Sequence, residues 1–325
     1  MTTNRSRPHA LPPIVAYDLS EWQGYLLPLI APTLYRIPLT PGERATHILE
    51  QIPPEFRGLF AFHIDLTASS CCPEDRPGLV RELNARGIGT INANVVDISK
   101  RYVQSVCRRA GLNTTAVSQS GDPRELLIVK TNRNYGGKPE AHSSPAVQEA
   151  FAISPQPIHD TPDHGYLVLY RHEVPPEVWH DSEQVVERYI ENKDQLFYRA
   201  YFVLNRVAIS EGHEKALIKT IGRAERRRLI LFCTDPTGEV NTDVPADLQP
   251  AVDAMLRFTK ITAMQFGCLD ILRDDQGRYF VIDMNATPHW GAQTAFRIIH
   301  HLSLAAQLPS AKLPVGLRLG GFSIH

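Results

Sequence analysis

Asp270, Asp283 and Asn285 are the residues of this chain whose types and spacing most clearly could do chemistry. They fall in the stretch 267–285, where two apolar runs flank a polar Asp274-Asp275-Gln276-Gly277 turn, the pattern of a β-hairpin. With the turn centred near Gln276, Asp270 and Asp283 face each other or sit on one diagonal, with Cβ atoms about 5 to 8 Å apart. The two-residue period of a strand puts Asn285 on the same face as Asp283. Like charges opposite one another on a sheet repel, so two carboxylates and an amide on an otherwise apolar hairpin point to a bound cation. Hard oxygen donors suit Mg²⁺, which takes one or two carboxylates and completes its shell with water and substrate phosphates. An exposed polar hairpin face is the alternative reading.

The elements that must hold such a site begin far upstream. Apolar runs at 14–17, 34–37 and 59–62 predict strands, and the helical periods at 21–30 and 41–52 predict the helices between them. A further helical stripe, Leu79-Val80-Leu83, closes at Gly87. Together they describe a small open α/β domain on a parallel sheet. Such sheets bind ligands beyond the carboxyl ends of their strands, which makes Asp18, His63 and Asp65 substrate-pocket candidates; ordinary turn and capping roles are the alternative. A helix is then expected over 97–109, ending at Gly111, and a strand over 126–130. The stretch 131–180 is rich in Pro, Gly, Ser and His, carries one strand at 166–170, and reads as a mobile lid or substrate loop. Strands at 184–189, 197–204 and 206–210 and a helix at 247–264 precede the hairpin. The basic cluster 223–228 reads as a solvated helical face.

With 325 residues, 43% of them hydrophobic and 21% charged, the chain has the composition of a globular protein with a sizeable core. A net charge of −1 lacks the positive field that nonspecific nucleic-acid binding needs. The first thirteen residues have no apolar core of a signal peptide and no long apolar run follows, so the expectation is a cytoplasmic protein. The five cysteines, Cys71, Cys72, Cys107, Cys233 and Cys268, form no CxxC pair and argue against a disulfide framework or a thiolate zinc site. His159, His164, His172 and His180 lack a compact ligand spacing.

The hairpin triplet, taken with its upstream sequence, resembles the ATP-grasp superfamily, in particular its carboxylate-amine ligase branch, which contains D-alanine-D-alanine ligase, glutathione synthetase and ribosomal-protein glutamate ligase. The resemblance spans roughly residues 80 to 295. It implies an α/β protein, α+β in its C-terminal part, with an ATP-grasp fold behind an N-terminal open α/β domain. The implied division is 1–95 for the N-terminal domain, 96–190 for the small, lid-bearing subdomain, and 191–325 for the large subdomain with the metal site. Asp270, Asp283 and Asn285 match the residues that hold two Mg²⁺ ions against ATP, with Asp283 standing where the family usually has Glu. Ile98-Ser99-Lys100-Arg101 resembles the helix whose early Lys reaches the nucleotide phosphates. Leu127-Ile128-Val129-Lys130 resembles the strand ending in the second phosphate Lys, with Thr131 in place of the usual Pro. Asn134-Tyr135-Gly136-Gly137 resembles the glycine loop over the triphosphate.

By the same resemblance, Glu187 and the backbone of Ile190 face the adenine edge, and Asp194, with Glu191 as competitor, takes the ribose hydroxyls. Arg199 stabilises negative charge near the reacting centre, with Arg223 as a second candidate, although Phe197 stands where the family often has Asp. His289 and Trp290 follow the metal ligands where the family meets its amine substrate, and an imidazole at His289 is suited to taking a proton from the attacking ammonium; a structural turn is the alternative. The implied activity is ATP-dependent ligation of a carboxylate to an amine, an amino acid or peptide, through an acyl phosphate, with release of ADP and phosphate. The same residues fit an ATP-grasp phosphotransferase or a noncatalytic ATP-binding protein. A homodimer is the family's common state.

Overall fold

The computed structural model describes residues 14–19, 24–151, 153, 165–216, 224–235, 238–240, 244–289 and 296–306. The chain begins with β1 (Ile14–Asp18), α1 (Leu26–Ile30), β2 (Tyr35–Pro38), α2 (Ala45–Glu50), β3 (Leu59–His63), α3 (Arg76–Ala85) and β4 (Gly89–Ile91). These strands form an all-parallel sheet in the order β2-β1-β3-β4. Every residue of β1 and β3 is buried because both faces of the sheet are covered. Val15, Tyr17, Phe60 and Phe62 point to α2 and α3. The alternate residues Ile14, Ala16, Leu59 and Ala61 pack on α1 and the C-terminal helix. The expected small α/β domain is present, with β4 as a strand the sequence reading did not include.

Next come α4 (Lys100–Arg109), β5 (Leu126–Thr131), α5 (Lys138–His142), α6 (Pro145–Ala150), β6 (Leu167–Tyr170) and β7 (Gln184–Arg188). The Ser99 side chain caps α4 by accepting from the Tyr102 amide, so the helix starts after Asp97 rather than at it. Strands β6-β5-β7 form an antiparallel sheet. Besides its expected strand, the stretch expected to be a lid loop contains two short α-helices, apart from residues 152, 154–164, which lie outside the described set.

The remaining elements are β8 (Leu196–Val203), β9 (Arg206–His213), β10 (Glu225–Cys233), α7 (Gln249–Thr262), β11 (Phe266–Arg273), β12 (Tyr279–Asn285) and α8 (Phe296–Ala306). Five strands pair antiparallel in the order β10-β9-β8-β11-β12. The described part of the basic cluster, residues 225–228, expected on a helix, lies instead at the start of β10, paired with β9. Arg228 there bonds Glu211 across the ladder and Asp247 before α7, so extended backbone gives it two carboxylate partners. One face of this sheet buries Tyr198, Ala200, Leu269 and Ile271 against α4 and α7. On the other face Tyr201, Val203, Phe266 and Cys268 pack with α8 and the N-terminal sheet. Arg199 and Asp270 continue that second face by the period of two, beyond the strand residues that share the core with α8. No helix of the described residues is long and apolar enough to cross a membrane.

Candidate active site

Glycine governs how closely β11 enters beside β12. A Cβ added at Gly267 would lie 2.4 Å from the Asn285 carbonyl oxygen, a contact no other residue escapes. From this start the ladder places Cys268 opposite Asn285 and Asp270 directly opposite Asp283. The register then skips from Asp283 to Val281 against Ile271, a bulge whose extra residue, Ile282, lines the neighbouring cleft. The hairpin expected from sequence thus exists with the two carboxylates facing. Asn285 accepts from the Thr287 amide through its side-chain oxygen at 2.8 Å.

The cleft, about 960 Å³ out to its open mouth, lies between this hairpin and one face of β5 and β7. Ile128 pairs with Glu187, so Ile128, Lys130 and Glu187 share that face, while Leu127, Val129 and Val186 build an apolar cluster on the other. Lys130 Nζ and Glu187 Oε2 are 2.5 Å apart and both side chains are buried. Lys100, the first residue of α4, is buried as well and donates to the Arg133 carbonyl at 2.5 Å. A cation at a helix N-terminus opposes the macrodipole, so helix stability does not account for a lysine here. Arg199 binds Asp270 with a two-point grip, Nε to Oδ1 at 2.5 Å and Nη2 to Oδ2 at 2.6 Å.

Three cations therefore converge with three carboxylates. Burial works against the Arg199 charge, but Asp270 outweighs it and holds the guanidinium well above its usual range. Burial also pushes the Asp283 carboxyl above the usual carboxylate range; Asp270 adds to the push, and Lys100, Lys130 and Arg199 oppose it. The donors on the hairpin face are hard oxygens, the set that a small divalent cation prefers.

No family model and no curated protein matches the chain. Among solved structures it is similar to D-alanine-D-alanine ligase from Bacillus anthracis, at 14% identity and a TM-score of 0.48 over 95% of this chain and 99% of that one. It is similar also to the ATP-grasp ligase PsnB complexed with a precursor peptide and AMPPNP, at 11% identity and 0.48 over 93% and 100%. The macrocyclase MdnC from Microcystis aeruginosa MRC, bound with its precursor peptide, gives 11% and 0.48 over 91% and 99%. These are likenesses of chain path; the chemistry rests on the residues of the cleft.

Of the residues singled out in the sequence, Lys100, Lys130, Glu187, Ile190, Asp270 and Asp283 all line the cleft. Arg199 borders it through Asp270. The backbone of Ile190 pairs with no other backbone group among the described residues, at the end of β7 where the ladder has stopped. Asp194 is exposed in the next turn and does not line the cleft; Asn192 does. Gly136 and Gly137 also stand outside the lining. With Tyr135 they form a run of three left-handed residues in a tight turn, and Asn134 beside them donates from its amide to Thr67 of the N-terminal domain. His289 is exposed against Gly24 and Tyr25, its ring edge-on to Tyr25 at 6.2 Å, on the N-terminal side of the site. Arg223 and Trp290 lie outside the described residues.

The N-terminal candidates are drawn together. Asp18, at the end of β1, sits 3.2 Å from His63 Nδ1 and 3.7 Å from Arg36. Asp65 accepts from Tyr25 and from Thr287 Oγ1, the latter at 2.7 Å. Because Thr287 also meets Asn285, this network reaches the edge of the hairpin site. Two residues escaped sequence reasoning. Tyr166, read only as the start of a strand, lines the cleft with its ring 6.0 Å from Lys100 Nζ. Gln104 lies behind Glu187, and its signal was available: an amide in the apolar stripe Val103, Val106, Cys107 of α4.

Proposed function

We propose that the chain is an ATP-grasp enzyme, an ATP-dependent carboxylate-amine ligase with amino acids or a peptide as substrates, built as subdomains 1–95, 96–190 and 191–325. The observation that carries this reading is the convergence in one cleft of two buried lysines, a facing aspartate pair and a buried acceptor carboxylate, Glu187. A carboxylate does not condense with an amine in water because oxide is a poor leaving group. The γ-phosphoryl group of ATP passes to a carboxylate oxygen, and the amine nitrogen then attacks the acyl carbon as the bond to phosphate breaks, leaving amide, ADP and phosphate.

Each side chain has a definite task in that scheme. Lys100 and Lys130 neutralise phosphate oxygens, and Arg199, held by Asp270, places a fixed positive charge beside the reacting groups. Glu187, an acceptor only, takes the amino group of adenine, and the Ile190 backbone offers the complementary edge. Apolar Ile128, Ile282 and Leu272 exclude water around the base. Asp270, Asp283 and Asn285 would hold Mg²⁺, which when bound screens the phosphates from the approaching carboxylate. The Asp18, His63 and Asp65 cluster, with His289 at its rim, forms the substrate side.

The test is phosphate release from MgATP over a panel of amino acids, dipeptides and other carboxylate and amine pairs, with mass spectrometry of the products. The expected result is ADP and free phosphate only when both partners are present, and a product lighter by one water than their sum. A phosphorylated hydroxyl without free phosphate would replace the ligase with a kinase; an absence of nucleotide binding would remove the reading altogether.

A further inference from the structure

Bonded to Glu187 of the cleft stands a buried amide, Gln104, that uses every hydrogen-bonding position it has. Gln104 lies on α4 one turn after Lys100, so the two side chains share a helix face. Its Oε1 accepts from the Thr115 amide at 3.1 Å and from Thr114 Oγ1 at 2.5 Å. Its Nε2 meets Thr115 Oγ1 and Glu187 Oε1, each at 2.6 Å. The orientation of the amide is forced. The Thr115 N–H can only donate, so it must meet the oxygen of Gln104, and the nitrogen must then face Glu187.

Glu187 is thereby pinned at both oxygens, Oε1 by Gln104 and Oε2 by Lys130. A carboxylate bound only to Lys130 is free to swing both oxygens onto the ammonium. With Gln104 in place it keeps a lone pair on a fixed line into the cleft. A purine with an amino group on that edge donates to it; one with a carbonyl oxygen there meets acceptor against acceptor. An aliphatic side chain would have suited the stripe of α4 better, since burying an amide costs energy unless every group is bonded.

We infer that Gln104 is a positioning residue that fixes the Glu187 carboxylate for base selection, setting the preference of the cleft for a 6-amino purine over a 6-oxo purine. The inference rests on the reading of the cleft as a nucleotide site. It requires no contact between Gln104 and the nucleotide, only control of the residue that makes one.

The experiment measures dissociation constants of MgATP and MgGTP by calorimetry for the full chain, alongside its thermal midpoint. Variants are Gln104→Met, Gln104→Glu and the reciprocal exchange Gln104→Glu with Glu187→Gln, which restores a donor and acceptor pair across the contact. The expected result is a wild-type preference for ATP that falls about tenfold in Gln104→Met and Gln104→Glu, mainly through weaker ATP binding, and recovers at least partly in the exchange. An ATP to GTP ratio unchanged within about twofold, with only the thermal midpoint lowered, would assign Gln104 a structural role and overturn the inference. Should Gln104→Met fail to fold, Gln104→Glu decides by the same ratio. A wild-type chain that binds neither nucleotide overturns the nucleotide reading itself, a result distinct from an unchanged ratio.

Discussion

In the cleft, carboxylates face cations: Glu187 meets Lys130, Asp270 meets Arg199, and Asp283 lies in the field of Lys100, Lys130 and Arg199. At the carboxyl ends of β1 and β3, Asp18 and Asp65 are buried more deeply than Asp270 and Asp283, and Asp65 is met by the neutral hydroxyls of Tyr25 and Thr287. Glu140, nearby, accepts from the Thr67 amide. Asp18 there has Arg36 at 3.7 Å, but around Asp65 charge is buried by different means from the cleft. Ion pairs can exchange partners when a polyanion and a divalent cation enter, because each freed charge finds a new opposite. A network of neutral donors has no such exchange and is suited to holding a shape. On the proposed reading, the cleft suits charged ligands that come and go, and the N-terminal cluster suits fixing one face of a substrate.

The contrast is broken most severely at Asp283, which has no cationic side chain bonded to it among the described residues. Replacing Asp283 by Ala should lower the rate of phosphate release by roughly three orders of magnitude. Nucleotide affinity should fall far less, because Lys100, Lys130 and Glu187 remain. Single-turnover kinetics beside equilibrium ATP binding separate the two, and equal losses in both would count against a role confined to the reacting end.

A smaller effect is expected from breaking one ion pair. Lys130→Met leaves Glu187 buried with Gln104 alone and should cost about 3 kcal/mol of folding stability. Adding Glu187→Gln should return most of it, since the amide can still accept from Gln104 and carries no charge. Urea unfolding of the single and double variants measures the coupling, and additive losses would show that the pair does not act as one.

Much of this arrangement was legible in the sequence where short-range rules decide. The hairpin turn fixed the register that sets Asp270 against Asp283, and the apolar run before Lys130 marked its strand. What escaped was decided by distant partners. The basic run 223–228 has the charge density of a solvated helix, but pairing with β9 draws residues 225–228 into a strand, and Glu211 and Asp247 become visible as partners of Arg228 only in three dimensions. Asp194 has the spacing of a ribose ligand, yet the chain after β7 turns so that Asn192 meets the cleft, its side chain tied to Leu196 at both backbone groups. Gln104 was visible as a polar residue in an apolar stripe; its meaning depended on Thr115 and Glu187, eleven and eighty-three residues away.

The mildest test concerns the neutral network. Burial raises the Asp65 carboxyl above its ordinary range, against the lowering influence of its bonds from Tyr25 and Thr287 and of nearby His63. The folded state then holds the Asp65 proton more tightly than the unfolded state does, so this residue favours folding most strongly below the ordinary carboxylate range. That contribution shrinks as pH rises through the raised value. Asp65→Asn keeps an oxygen to accept one hydroxyl but cannot ionise. Its stability relative to the wild-type chain should therefore improve between about pH 4 and neutrality, with an overall change near 1 kcal/mol. Denaturant unfolding of both chains across that interval reads the difference directly. A difference that instead moves against the variant as pH rises would mean that the Asp65 charge is stabilised in the fold, and the cluster would then belong with the ionic cleft rather than apart from it.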